Sequence, residues 1–201
     1  MGYYIRVLGT KSDHPDFDYL QNSLAKSSST AVLKLEVGTE TNWEQLVLAH
    51  ATGPEIAILE YSPVINGELG QEELEEFIAE VGHYQPRSAA QWLRAYLLQI
   101  KAIYAFQLLS GTDAKNGWTA LHALQAAIWT KVGDVLQADS EGFTNEDGYN
   151  ILWQFSDGAK GKWNMAILEN GKWIIFEMDL GSAEQRRAFF DGRVPPGACL
   201  L

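Results

Sequence analysis

Apolar residues recur at i, i+3, i+4 and i+7 over residues 71–81, where Leu74, Phe77, Ile78 and Val81 fall on one side of a helix. Glu72, Glu73, Glu75, Glu76 and Glu80 fall on the other. Elsewhere a period of two takes over. Tyr3-Tyr4-Ile5-Arg6-Val7-Leu8 is rich in strand formers and ends at Gly9. Leu33, Leu35 and Val37 alternate with Lys34 and Glu36, and Gln45 to His50 and Ile56 to Tyr61 complete three strands that read as an antiparallel meander. Before the meander, Phe17, Leu20 and Leu24 have helical spacing. They predict a helix with Asp13 as its cap, Pro15 in its first turn and a Ser27-Ser28-Ser29 turn after it.

The stretch Gly82 to Arg87 contains Pro86 and breaks the Glu-rich helix. Ser88 and Gln91 then have capping-box spacing ahead of Trp92, Leu93, Tyr96, Leu97 and Ile100, which predicts a connecting helix over 88–99. From there the order restarts. Ala102 to Leu109 reads as a strand, Gly111 to Asn116 as a loop, and 117–131 as a helix with Trp118, Leu121, Leu124, Ile128, Trp129 and Val132 inward. Gln125 interrupts that apolar arc. Val135 to Ala138, Tyr149 to Phe155, Trp163 to Leu168 and Trp173 to Met178 read as strands, and Asn170-Gly171 is a hairpin turn between the last two. Ser182 with Gln185 opens a final helix that ends near Gly192.

These elements predict an α+β fold of antiparallel sheet with helices packed on one face. Both halves run strand, helix, strands, helix, and Ala57-Ile58-Leu59-Glu60 recurs as Ala166-Ile167-Leu168-Glu169. Two organisations are compatible with this order. One is an internal duplication, with an N-terminal α+β half at 1–82, a connecting helix at 83–101 and a C-terminal half at 102–201. The other is a single continuous domain.

Of 201 residues, 46% are hydrophobic and 20% charged, a composition that excludes disordered, collagen-like and disulfide-scaffold classes. Charge changes the picture more. With 26 acidic against 15 basic side chains the net charge is −11, so the attraction that drives nucleic-acid and anionic-membrane binding is lacking. No apolar run approaches the roughly 18 residues of a membrane span. The opening Met1-Gly2-Tyr3-Tyr4-Ile5-Arg6 lacks the order of a secretory leader, and a lone Cys199 makes no intrachain disulfide. A cytoplasmic location is the expectation.

Candidate chemistry concentrates in Asp139-Ser140-Glu141-Gly142-Phe143-Thr144-Asn145-Glu146-Asp147-Gly148. Its carboxylates and glycines have the composition of a loop that wraps a hard cation, but the EF-hand register fails, with Thr144 where glycine belongs and Asn150 where the bidentate Glu belongs. No metal ligands are assigned. Neither His14, His50, His83 and His122 nor any serine falls in a zinc or nucleophile motif, and no phosphate loop is present, so no catalytic residue and no cofactor is assigned. The first expectation is therefore a non-enzymatic binding module, immunity- or regulator-like, that engages a basic protein through its acid. The alternative is an enzyme or binder of a small polar ligand such as a sugar. Asp139, Glu141, Asn145, Glu146 and Asp147 would line its cleft with Trp153 and Trp163, the ligand lying against aromatic faces.

Overall fold

In chain order the computed structural model, which describes residues 2–27 and 30–201 and only the backbone of Asp134, contains ten strands and five helices. They are β1 (Tyr4–Gly9), α1 (Phe17–Ser27), β2 (Ala31–Gly38), β3 (Trp43–His50), β4 (Glu55–Pro63), α2 (Leu69–Val81), α3 (Arg87–Leu97), β5 (Ala102–Leu108), α4 (Gly117–Val132), β6 (Gly133–Ala138), β7 (Gly142–Phe143), β8 (Lys162–Glu169), β9 (Lys172–Asp179), α5 (Ala183–Phe190) and β10 (Cys199–Leu200). A 3-10 turn at Ser110–Asp113 precedes α4. The fold is α+β with antiparallel sheets, as the periodicity predicts. The chain forms two units, each built from two stretches: residues up to Gln71 with Ile100–Asp134, and Glu72–Gln99 with Val135–Leu201. Each unit thus draws on both expected halves, and an internal duplication is not shown.

In the first unit five strands pair antiparallel in the order β2-β3-β4-β5-β1. The β2-β3-β4 meander is the one read from alternation. β5 adds to it across the whole of residues 64–101, and the excursion is closed by the Pro63↔Ala102 pair and the Val64 N–H donating to the Lys101 carbonyl at 2.8 Å. The register places Val7, Leu33, Leu46, Leu48, Leu59, Tyr104 and Phe106 on one face. All seven are buried, each contributing about 1.5–3 kcal/mol through loss of apolar surface to water. α1 packs on α4, and the Tyr19 hydroxyl donates to the Ala127 carbonyl at 3.1 Å. The outer edge of β2 is partly covered: Gln21 of α1 accepts the Leu33 N–H at 3.3 Å, and a bulge between Leu35 and Val37 interrupts the rest, two ordinary defences against strand addition.

The second unit holds a β6-β7 hairpin and a three-stranded antiparallel sheet in the order β10-β9-β8. One face of that sheet presents Met165, Ile167, Phe176 and Met178 to Phe189 of α5 and to Trp153. α3 packs on β8, and its Trp92 meets Trp173 edge to face at 4.9 Å. α2 turns its apolar side to the hairpin, where Phe77 meets Phe143 edge to face at 5.5 Å. Among the described residues no helix is long and apolar enough to cross a membrane.

Several local expectations shift, each for a definable reason. α1 begins at Phe17, capped by the Asp16 carboxylate accepting the Tyr19 N–H at 3.1 Å, so Asp13 and Pro15 precede it. The Ser27-Ser28-Ser29 turn lies partly outside the described residues. α3 starts at Arg87, which puts Ser88 inside the first turn, and its N-cap Pro86 makes no side-chain cap bond. In α5 Ser182 caps the Gln185 N–H at 3.3 Å, but the Gln185 side chain bonds the Asp179 N–H and the Pro196 carbonyl instead of closing a box. Tyr149 to Phe155 is not a strand. Ile151, Leu152 and Trp153 are buried in succession, and only Asn150 makes bridges, to Thr144 and Met165.

Candidate functional site

The acidic loop hangs from the β6-β7 hairpin, whose turn uses two residues with positive φ, one of them the non-glycine Ser140. Ser140 at φ 62° and Gly142 at φ 102° reverse the chain after Asp139, and the Glu141 N–H donates to the Ala138 carbonyl at 3.1 Å. Past Phe143 the loop folds around Asn145, which is fully buried. Its Oδ1 accepts the N–H groups of Asp147 at 3.1 Å and Tyr149 at 2.9 Å, an Asx turn that Gly148 completes at φ 86°. Asn150 ties the far side, donating from Nδ2 to the Glu141 carbonyl at 2.9 Å.

Asn145 therefore serves as an internal pivot of the loop. Asn145→Ala is expected to cost about 1–3 kcal/mol, because two backbone donors lose their acceptor. Denaturant unfolding checks this against Asp147→Ala, an exposed position where the change is expected to stay within about 0.5 kcal/mol.

The other residues of the expected site separate into two groups. Glu146 and Asp147 are exposed, Asp139 and Glu141 half-buried. Trp153 is 9% exposed and lies in the core with Phe155 at 5.2 Å, Phe190 at 5.4 Å and the Arg186 guanidinium 4.7 Å over its ring. Trp163, half-buried, packs on Phe155 at 5.3 Å. Phe155 thus joins the two tryptophans on the core side of the β8-β9 sheet.

The carboxylate goes to a different indole. Glu146 Oε2 accepts the Trp173 Nε1–H at 3.1 Å. Pairing of Leu168 with Trp173 and of Trp163 with Met178 puts Trp173 and Trp163 on opposite faces, since side chains alternate along a strand. Glu146 therefore meets the sheet on the face opposite Trp163, whereas Trp153 and Trp163 share its core side. Trp173 was the residue to find. Its signal was the offset from Trp163 across the Asn170-Gly171 hairpin, which fixes the register and hence the faces.

The acid itself is brought together. Counted over residues 72–99 and 135–201, the second unit has 15 acidic against 8 basic side chains, the larger part of the net charge. Its two acidic segments adjoin, because Phe77 of α2 packs on Phe143 at the root of the loop. Glu72, Glu76 and Glu80 succeed one another every four residues along α2, all exposed, and none has an ion-pair partner among the described residues. Among those residues no group of three or more His, Cys, Asp or Glu could hold a metal ion.

No protein-family model matches the chain, and no characterised protein or solved structure shows significant similarity to it. Its function is therefore read from its own fold and side chains.

Proposed function

We propose that this protein is a binding module whose second unit engages a basic protein through the α2 ridge and the neighbouring loop. The Glu72, Glu76 and Glu80 row carries the reading. Like charges four apart on a helix oppose one another by about 0.2–0.5 kcal/mol per pair, and Glu80 stands in the last turn, where the helix dipole disfavours an anion. A helix optimised for stability alone would place Lys or Arg there; its last turn has no basic residue. An unpaired acidic row is the complement of a cationic surface, which it would steer and orient at long range. The loop's exposed Glu146 and Asp147 extend the same field.

Affinity capture with the full chain tests this. Basic proteins retained at about 0.1 M salt are expected to be released near 0.5 M, where the screening length shrinks to a few ångströms. The triple variant Glu72→Lys, Glu76→Lys, Glu80→Lys is expected to retain none of them. Equal retention by the variant, or retention insensitive to salt, overturns the reading.

A further inference from the structure

The loop between β1 and α1 places an imidazole among aromatic rings in the first unit. The His14 ring centroid is 4.2 Å from that of Tyr61, 4.6 Å from Trp43 and 6.2 Å from Tyr104, and Trp43 and Tyr104 are fully buried. Both ring nitrogens of His14 are closed off from solvent and neither has a hydrogen-bond partner. The chain is fastened on either side of it. The Tyr104 hydroxyl donates to the Asp13 carbonyl at 3.2 Å, and Trp43 Nε1–H donates to the Pro15 carbonyl at 2.7 Å. A cavity of about 240 Å³ opens beside the loop, lined by Asp13, His14, Pro15, Asp16, Tyr19 and Lys131.

A buried polar group is normally paired, so an imidazole with two unmet nitrogens calls for a reason. We propose that His14 is an acid-released latch: neutral, it holds the β1–α1 loop against Trp43, Tyr61 and Tyr104, and protonated, it swings into the adjoining cavity and frees the loop. The neutral ring is a flat, largely apolar body that the three aromatic rings accept. The imidazolium carries a second N–H donor and a full charge, and the box offers it the Trp43 backbone carbonyl but no anion.

The charges around the ring pull in both directions. From its own loop, Asp16 and Asp13 favour the proton, as does the Trp43 carbonyl of β3, and the ring faces attract a cation weakly. Lys131 of α4, across the cavity above the Tyr19 ring, disfavours it. Tyr61 of β4 and Tyr104 of β5 supply no counter-anion, because burial raises the pKa of both hydroxyls, with Glu68 adding to the effect on Tyr61. Burial is the largest influence on His14 and holds its pKa below the ordinary 6.5. In the cavity, Asp16 and water receive the charge that the box cannot.

Proton counts give the sign. Between the folded value and 6.5 the opened loop binds a proton that the latched loop does not, so protection is complete above about pH 6.5 and is lost as pH falls below it. Hydrogen exchange of residues 10–20 in the full chain, corrected for intrinsic rate, is expected to speed up about tenfold for each unit by which the His14 pKa is lowered. The rise should come as pH falls from about 7.5 to 5, the range in which histidine titrates. His14→Phe fills the box without a titrating group, and its exchange is expected to be flat over that range. Imidazole NMR of the unaltered chain reads the same property directly, should the variant fail to fold. A His14 that titrates at or above 6.5, or exchange that rises equally in His14→Phe, overturns the latch.

Discussion

Trp43→Ala is expected to destabilise the first unit by about 3–5 kcal/mol, the usual cost of emptying a buried aromatic site. Trp43 is wholly buried at the first residue of β3, where its ring touches His14, Tyr61 and Tyr104 and its Nε1–H satisfies the Pro15 carbonyl. The loss has two parts that a second variant separates. Trp43→Phe keeps most of the apolar contact but leaves the Pro15 carbonyl unpaired, and about 1–3 kcal/mol is expected from that alone. Thermal unfolding of the unit should fall by roughly 2–4 °C per kcal/mol for a chain of this size, so the alanine variant shifts it by about 6–20 °C. A shift equal in the two variants would mean that the hydrogen bond, and not the packing, carries the site.

Much of the architecture is local and was therefore legible. The meander of β2, β3 and β4 needs only alternation and short turns, and the α2 helix comes from the spacing of Leu74, Phe77, Ile78 and Val81. What periodicity leaves open is partner choice. Nothing in Ala102 to Leu108 says that it returns to β4, because alternation shows which face is buried and is silent about the neighbouring strand. The interleaving of the two units comes from that pairing: with β4 and β5 side by side, the whole of residues 64–101 is an excursion from the first sheet. The misreading at Tyr149 to Phe155 has a related cause. Large apolar residues at alternate positions imitate a strand, but here the backbone is held by an Asx turn and single bridges, and consecutive side chains are buried.

For the candidate site, residue type was readable and direction was not. Acid on α2 and in the loop is plain in the sequence, whereas the Phe77 contact on Phe143 that makes them neighbours joins residues far apart in the chain. Asn145 belongs with the carboxylates by composition, yet its side chain turns inward and works on the backbone. His14 was one histidine among four. Its setting depends on three rings from β3, β4 and β5, and only the register Tyr61↔Tyr104 brings two of those together.

Gly117→Ala is expected to cost about 3 kcal/mol or more, as an overpacking that cannot relax. Gly117 opens α4 with residues 114–116 between it and the end of the 3-10 turn, and a Cβ there would drive into the carbonyl oxygens of Gly111 and Thr112. Both obstacles are backbone, so no side chain can rotate out of the way. Nor can the turn retreat, because Thr112 Oγ1–H donates to the Ile56 carbonyl at 2.7 Å and Gly111 itself lies against the Glu55 and Pro54 carbonyls with no room for a Cβ. The close approach of turn, helix and β4 thus depends on two glycines for want of space. Gly158→Ala is the matched control: no atom stands within 4 Å of its Cβ position, and its stability is expected to change by less than about 0.5 kcal/mol. Denaturant unfolding of the two variants decides the point. If Gly117→Ala is as stable as Gly158→Ala, α4 can shift away from the turn, and the Thr112 hydrogen bond to β4 does not fix the junction.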